Sequence, residues 1–337
     1  MNRTLTMIAA VSAVGLMALT ACSSSSGASS SSTGEAAAFP VEGETIELIV
    51  PSAAGAGNDI LARIIAPSLQ DKLGGNVEVM NKEGGGQIIG LTYLAEADPD
   101  GMTLGFTNIP SVLGRYLDPS KNATFTRESF TPVGSFTSNT VGIYVKSDSP
   151  FQTLDDLVKA AEADPGAVTT GTDSRAGDDH VNLLKLQDTL GAEFNIVHYN
   201  SGADKVAALV AGETQFAVGG VSSFYGQIQA GDVRPLAVVA DEESEFLPGT
   251  PTLKSLGFET EDMTSRFTLS VPSETPAATV AALEAALKAT VEDPAIAQKL
   301  KDSATEPQFI NSADMQTMWT ERETATKPII ESLLAGG

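Results

Sequence analysis

The chain alternates between short apolar runs and longer stretches in which apolar positions return every third or fourth residue. Residues 45–50 (TIELIV) read as a strand, 51–58 (PSAAGAGN) as a turn-rich loop, and a helix follows from about Asp59. In that helix Ile60, Leu61, Ile64, Ile65 and Leu69 form one apolar stripe. Pro67 predicts a kink or an early end, because proline lacks an amide hydrogen and its ring crowds the preceding turn. Residues 76–80 are a second strand, Glu83-Gly84-Gly85-Gly86 a second loop and 87–97 a second helix. Asp98-Pro99-Asp100-Gly101 is a turn by composition, leading into a third strand at 102–107.

Residues 141–146 (VGIYVK) open the next series. Thr153 begins a helix with Asp156 three residues on, the spacing at which each side chain can bond the other's backbone amide. Residues 167–171, 194–199, 214–218 and 233–239 repeat the strand–loop–helix rhythm, and 266–271 is a late strand. The C-terminal stretch is helical: 276–290, a helix capped by Asp293 with Pro294 in its first turn, and roughly 312–334. The alternation predicts an α/β fold with largely parallel sheets, and at roughly 100–200 residues per domain the length predicts two lobes.

The N-terminus adds a compartment. Arg3 precedes a short apolar run, 7–19, which is shorter than the ~20 residues of a spanning helix. It ends in Leu19-Thr20-Ala21-Cys22, which has the form of a bacterial lipobox. We read 1–21 as a lipoprotein signal peptide, Cys22 as the lipidated residue, and 22–43, which contains the run SSSSGASSSST, as a flexible tether. Cys22 is the single cysteine, so no disulfide forms within one chain and no cysteine-based metal or redox centre is expected. No later stretch is apolar enough to span a bilayer, so the expected body is soluble, monomeric and extracytoplasmic, anchored by lipid to the outer face of the membrane. The net charge of -23 offers no basic stripe for phosphates and argues against nucleic acid; it says little about any one pocket.

Three polar or glycine-rich loops lie between a strand and a helix, where open α/β sheets bind ligands. Glycine lets backbone approach a ligand, and amides at a helix N-terminus point outward with partial positive charge, an environment that suits carboxylate or phosphate. The series from Gly84 to Gly90 imitates a dinucleotide fingerprint but follows the second strand rather than the first. There is no GxxxxGK[ST] loop, no zinc-type spacing and no GxSxG elbow, so no metal, cofactor or catalytic residue is expected. The two histidines divide: His198 lies within an apolar strand and reads as structural, whereas His180 either lines a cleft or caps a helix. Arg175, a cation in a glycine-containing loop, either grips a carboxylate bidentately or forms a surface ion pair with Asp173, Asp178 or Asp179.

Taken in order, these segments resemble the solute receptors of tripartite tricarboxylate transporters, also called Bug proteins. The resemblance rests on Val50-Pro51, the loop Ala54 to Asp59 with Ala62-Arg63, Asn81 with Gly84-Gly85-Gly86, and Asp100-Gly101-Met102-Thr103-Leu104. It continues through Gly171-Thr172 to His180, Tyr199 to Gln215, Gly231 to Val238 and Leu247 to Leu253. The resemblance implies a two-lobed, type II periplasmic-binding clamshell with crossover strands as hinges: 44–140 plus 266–337 as one lobe and 141–265 as the other. It implies a small organic carboxylate ligand, including di- or tricarboxylates, and the integral-membrane permease subunits of a tripartite transporter as partners.

Carried over by position, the expected ligand-binding residues begin with Ser52, Ala53, Ala54, Gly55, Gly57, Asn58 and Asp59, with Asp59 ordering the loop rather than touching an anion. The second loop contributes Gly84, Gly85 and Gly86, and the end of the third strand Thr107 and Asn108. The second lobe contributes Thr172, Asp173, Ser174, Arg175, Gly177 and His180, then Gly219 and Gly220. Two departures from the family pattern, Ser52 after Pro51 and the added cation Arg175, bear on ligand size and charge. The competing readings are a secreted hydrolase on a similar scaffold, and a receptor serving another transporter class or a sensor kinase.

Overall fold

The chain opens with β1 (Thr45–Val50), α1 (Gly57–Leu73), β2 (Asn76–Asn81), α2 (Ile88–Ala95), β3 (Thr103–Phe106) and the short α3 (Leu113–Tyr116). The computed structural model describes Phe39 and residues 43–173, 175–199 and 201–335, all within one unit, Ala38–Gly337. The expected signal segment, Cys22, the serine-rich run and Ser174 lie outside the described residues. Helix α1 runs through Pro67 to Leu73 rather than ending early, because Leu61, Ala62, Ile65, Ala66 and Leu69 are buried along its length. It stops at Gly74, whose left-handed backbone turns its amide onto the Gln70 carbonyl.

Next come β4 (Phe130–Asn139) and β5 (Val141–Lys146), separated only by Thr140. There follow α4 (Leu154–Ala163), β6 (Thr169–Thr172), α5 (Asp178–Leu190), β7 (Asn195–His198) and α6 (Gly202–Ala211). Then come β8 (Phe216–Gly220), α7 (Val221–Ala230) and β9 (Val233–Val239). The last elements are β10 (Ser265–Pro272), α8 (Ala277–Val291), α9 (Pro294–Asp302), β11 (Glu306–Asn311) and α10 (Ser312–Ala335). Thr153 and Asp156 form the reciprocal cap at the start of α4, and Asp293 caps α9 through the Ala295 amide.

Two sheets result. The first has the order β11-β4-β10-β3-β1-β2 and the second β7-β6-β8-β5-β9. Both are mixed rather than largely parallel. The βαβ units pair parallel, β1 with β2 and β3, and β6 with β7 and β8. Strands β5 and β10 enter their sheets directly from the other one, without a crossover helix, and run antiparallel to the strands they join.

Strand β4 has no sequence signature because its buried positions include Ser135 and Thr137, whose hydroxyls donate to the Gln308 and Glu306 carbonyls of β11. A bonded hydroxyl is tolerated in a core, which erases the alternation a strand normally shows. The first sheet is covered by α1, α8 and α9 on one face, and on the other by an aromatic cluster in which Trp319 of α10 stacks on Phe130 at 6.0 Å. The second sheet packs α4 and α5 on one face, α6 and α7 on the other. Each sheet thus has its own core, which makes two lobes.

Candidate functional site

The loop after β1 is ordered from within. Asp59 is 3 % exposed, and its two carboxylate oxygens accept from the Gly55 amide at 2.8 Å, Arg63 Nε at 3.0 Å and Asn81 Nδ2 at 3.0 Å. Asn81 Nδ2 also donates to the Ser52 carbonyl, closing the loop against β2. These donors, Arg63 foremost, hold the Asp59 carboxyl down at about 2. Ala53, Ala54 and Gly55 are left exposed at the tip. Asn58 accepts from Asn108 Nδ2 at 2.9 Å, which joins the first loop to the segment after β3. Ser52 Oγ and Asn108 Oδ1 are buried without a hydrogen-bond partner among the described residues. Thr107, by contrast, is fully buried in the sheet with its hydroxyl against Ser270.

The second loop bends sharply: Gly84, Gly85 and Gly86 have φ of 125°, 57° and 62°, a run that side chains with a Cβ adopt at a cost. Gly85 and Gly86 are exposed. Across the gap, the loop ahead of α5 is held by both histidines. Thr172 Oγ1 lies 2.8 Å from His198 Nδ1, and the Ala176 amide donates to His180 Nδ1 at 3.1 Å. His180 is buried, and burial, then His198 and Arg175, push it down to about 4. A neutral imidazole whose Nδ1 accepts from backbone is a brace. Arg175 Nη2 donates to the Leu333 carbonyl of α10 at 2.7 Å. Asp173 Oδ1 is buried with no hydrogen-bond partner among the described residues, and burial, reinforced by Asp178 and Asp179, raises its carboxyl to about 7. Gly177 caps α5 with no side chain bonded to the helix amides.

Three residues that sequence reasoning missed shape these faces. Lys205, 2 % exposed, pairs with Asp179 and donates to the Val218 carbonyl at 2.8 Å. A Cβ at Gly219 would lie 2.7 Å from its Nζ, so a side chain there would have to displace the buried ammonium. A Cβ at Gly220 would overlap Asn139, whose amide receives the Ser222 N–H at 3.1 Å and donates to Ser222 Oγ at 2.8 Å. Asn139 of β4 therefore caps α7 from the other sheet. The third is Arg115 on α3, whose Nη1 would be 3.7 Å from a Cβ at Gly86. Lone cations in helical segments gave no signal in the sequence; their meaning comes from the face they share.

The lobes meet where Ser111 donates to Asp178 at 2.8 Å and Gly114 approaches the Ala176 carbonyl. A groove of about 950 Å³ is lined by residues of both lobes. Gly57 and Ile60 of α1, Gly202, Val206 and Val210 along α6, and Ser222 of α7 line it with Phe267, and its charged lining residues are Asp232 and Asp302. Three helix N-termini thus open onto one space, and neither α1 nor α7 has a side chain of its own N-cap residue bonded to its amides. The Ser222 amide of α7 is taken by Asn139 and the Asp204 amide of α6 by Ser201, so what favours an anion there is the positive end of the helix dipoles. A second cavity, about 810 Å³, lies at the crossings; its acids outnumber its cations, and Lys254, Arg266 and Lys301 are each paired with an acid, which disfavours an anion there.

Two α/β lobes joined by crossing strands make a clamshell of the periplasmic-binding type. The family described as tripartite tricarboxylate transporter family receptor matches residues 61–334, and the chain belongs to it. A protein of the TAR-I ttuE-ttuC' intergenic region of Agrobacterium vitis is 30% identical over 262 residues, 78% of this chain and 75% of that one. Among solved structures, a TctC solute binding protein from Polaromonas superposes with a TM-score of 0.73 at 23% identity, covering 87% of this chain and 99% of its own. A Rhodopseudomonas palustris protein with adipate gives 0.75 at 23% identity, covering 88% of this chain and 98% of its own.

Proposed function

We propose that this chain captures a small organic carboxylate between its lobes outside the cytoplasm and presents it to the permease subunits of a tripartite transporter. The observation that carries this reading is the convergence of the α1, α6 and α7 N-termini on one groove. The family's receptor description supports it, as does the adipate bound by a protein of the same fold. One lobe comprises 44–140 with 266–337 and the other 141–265, hinged at Thr140 and near Ser265. A signal peptide at 1–21, lipidation of Cys22 and the serine-rich run tether the monomeric body to the membrane's outer face.

The receptor performs no chemistry. In support, His198 Nδ1 is engaged by Thr172, and His180 Nδ1 accepts the Ala176 amide, so neither histidine offers that nitrogen as a base. Thermal-shift screening with mono-, di- and tricarboxylates and aromatic acids tests the reading, because a ligand that binds the folded state raises the melting temperature by mass action. A rise with at least one organic acid is expected. No rise with any of them, together with turnover of an ester, amide or phosphate, would reject the reading in favour of an enzyme.

A further inference from the structure

The groove shared by the two lobes has largely apolar walls. Ile60 and Leu61 of α1, Val206 and Val210 of α6 and Phe267 of β10 line it. Ile60 is 47% exposed, while Leu61, Ala62 and Ile65 beside it in α1 are buried. An isoleucine left uncovered inside a groove is apolar surface that an occupant would remove from water. No Lys, Arg or His is found among the described residues that line the groove. Its two charged residues, Asp232 and Asp302, take part in none of the ion pairs found among the described residues.

The groove also has two unlike ends. Strands β7 and β8 both pair parallel with β6, and β9 runs parallel to β8 because each is antiparallel to β5. Helices α6 and α7, which join β7 to β8 and β8 to β9, therefore run the same way. Gly202 and Ser222 stand at one end of the groove, Val210 and Asp232 at the other. Between Gly202 and Val210 the helix advances about 12 Å. A carboxylate held at the first end leaves the rest of its molecule lying along Val206 and Val210. A second carboxylate carried to the far end would meet Asp232 and the negative ends of both helix dipoles, with no cation in the lining to offset them. Apolar atoms at that end meet apolar walls instead, and burying them is favourable.

We infer that the ligand carries a single carboxylate on an apolar body, aliphatic or aromatic, and that this body lies along α6 against Ile60, Val206, Val210 and Phe267. This rests on the carboxylate reading above and narrows it to one class of acid. The test is calorimetry on the purified full chain with acids matched in size: hexanoate against adipate, octanoate against suberate, benzoate against terephthalate. The wild type is expected to prefer the monocarboxylate by about ten-fold or more in each pair it binds, and each methylene added from butyrate to octanoate should tighten binding by up to about four-fold. Two variants at Ala207, an exposed residue of the same lining, place the ligand. Ala207→Trp fills the groove and should weaken monocarboxylate binding by about ten-fold or more. Ala207→Lys sets a cation in the lining and should narrow or reverse the preference. Melting temperatures without ligand check that each variant is folded; if Ala207→Trp is not, Ala207→Lys carries the test. A wild type that binds the dicarboxylate of any pair as tightly as its partner, or variants that leave affinity and preference unchanged, would overturn this inference and leave the carboxylate reading standing. A wild type that binds no acid of either kind overturns both.

Discussion

Replacing Asp59 by asparagine separates a loop-ordering carboxylate from one that faces the ligand. Asp59→Asn keeps the size of the side chain and one oxygen for the Gly55 amide, but loses the charge that holds Arg63 and places an NH2 group against a donor. Holding the carboxyl at about 2 instead of the ordinary 3.8 corresponds to no more than about 2.5 kcal/mol of stability. Arg63 is 55% exposed, so solvent screening reduces this, and a loss of about 1–2 kcal/mol at pH 7 is expected. The sign follows from a depressed acid: its contribution is complete above the unfolded value and disappears as pH falls from about 4 through about 2. Urea unfolding of wild type and variant at pH 7 and at successively lower pH measures it, the gap between them narrowing at the acid end. Carboxylate affinity should fall as well, because the loop from Ser52 to Gly55 loses its anchor. If the variant were equally stable at pH 7 and bound an anion more tightly, the Asp59 charge would face the ligand and the ordering argument would be wrong.

Other perturbations have equally definite outcomes. Lys205→Met leaves Asp179 buried without its partner and should cost about 3–5 kcal/mol in denaturant unfolding, with Lys205→Met/Asp179→Leu recovering part of it. Gly220→Ala forces a methyl onto Asn139 and should cost about 1–3 kcal/mol; adding Asn139→Ala makes room and should make the pair less destabilised than the sum of the single changes. Asp173 is raised, so its penalty is absent below pH 3.8 and grows as pH rises through about 7; Asp173→Asn should raise the melting temperature at pH 8 more than at pH 5. Arg175→Ala should leave ligand affinity within about two-fold in calorimetry and cost at most about 1 kcal/mol, since its contact is an exposed one with the Leu333 carbonyl.

The parts of this fold legible in the sequence are those specified by neighbours along the chain. The Thr153 and Asp156 cap, the Asp293-Pro294 start of α9 and the apolar runs of β1, β5 and β9 each state their own conformation within a few residues. Strands β4 and β11 were illegible because their consistency is mutual: Ser135 and Thr137 belong in a core only when the carbonyls of β11 accept their hydroxyls. The site divides the same way. Its glycine loops announce themselves, but what each glycine is for depends on a distant partner, Lys205 at Gly219 and Asn139 at Gly220. Arg175 stood out in the sequence because it sits among glycines and acids, yet its partner is the end of α10.

Small-angle X-ray scattering with and without a saturating organic acid, chosen as one that raises the melting temperature, tests the closing of two lobes on a carboxylate most directly. The radius of gyration should fall on binding, and should not fall with an acid that gives no thermal shift. A bound carboxylate that leaves the scattering profile unchanged would contradict the account.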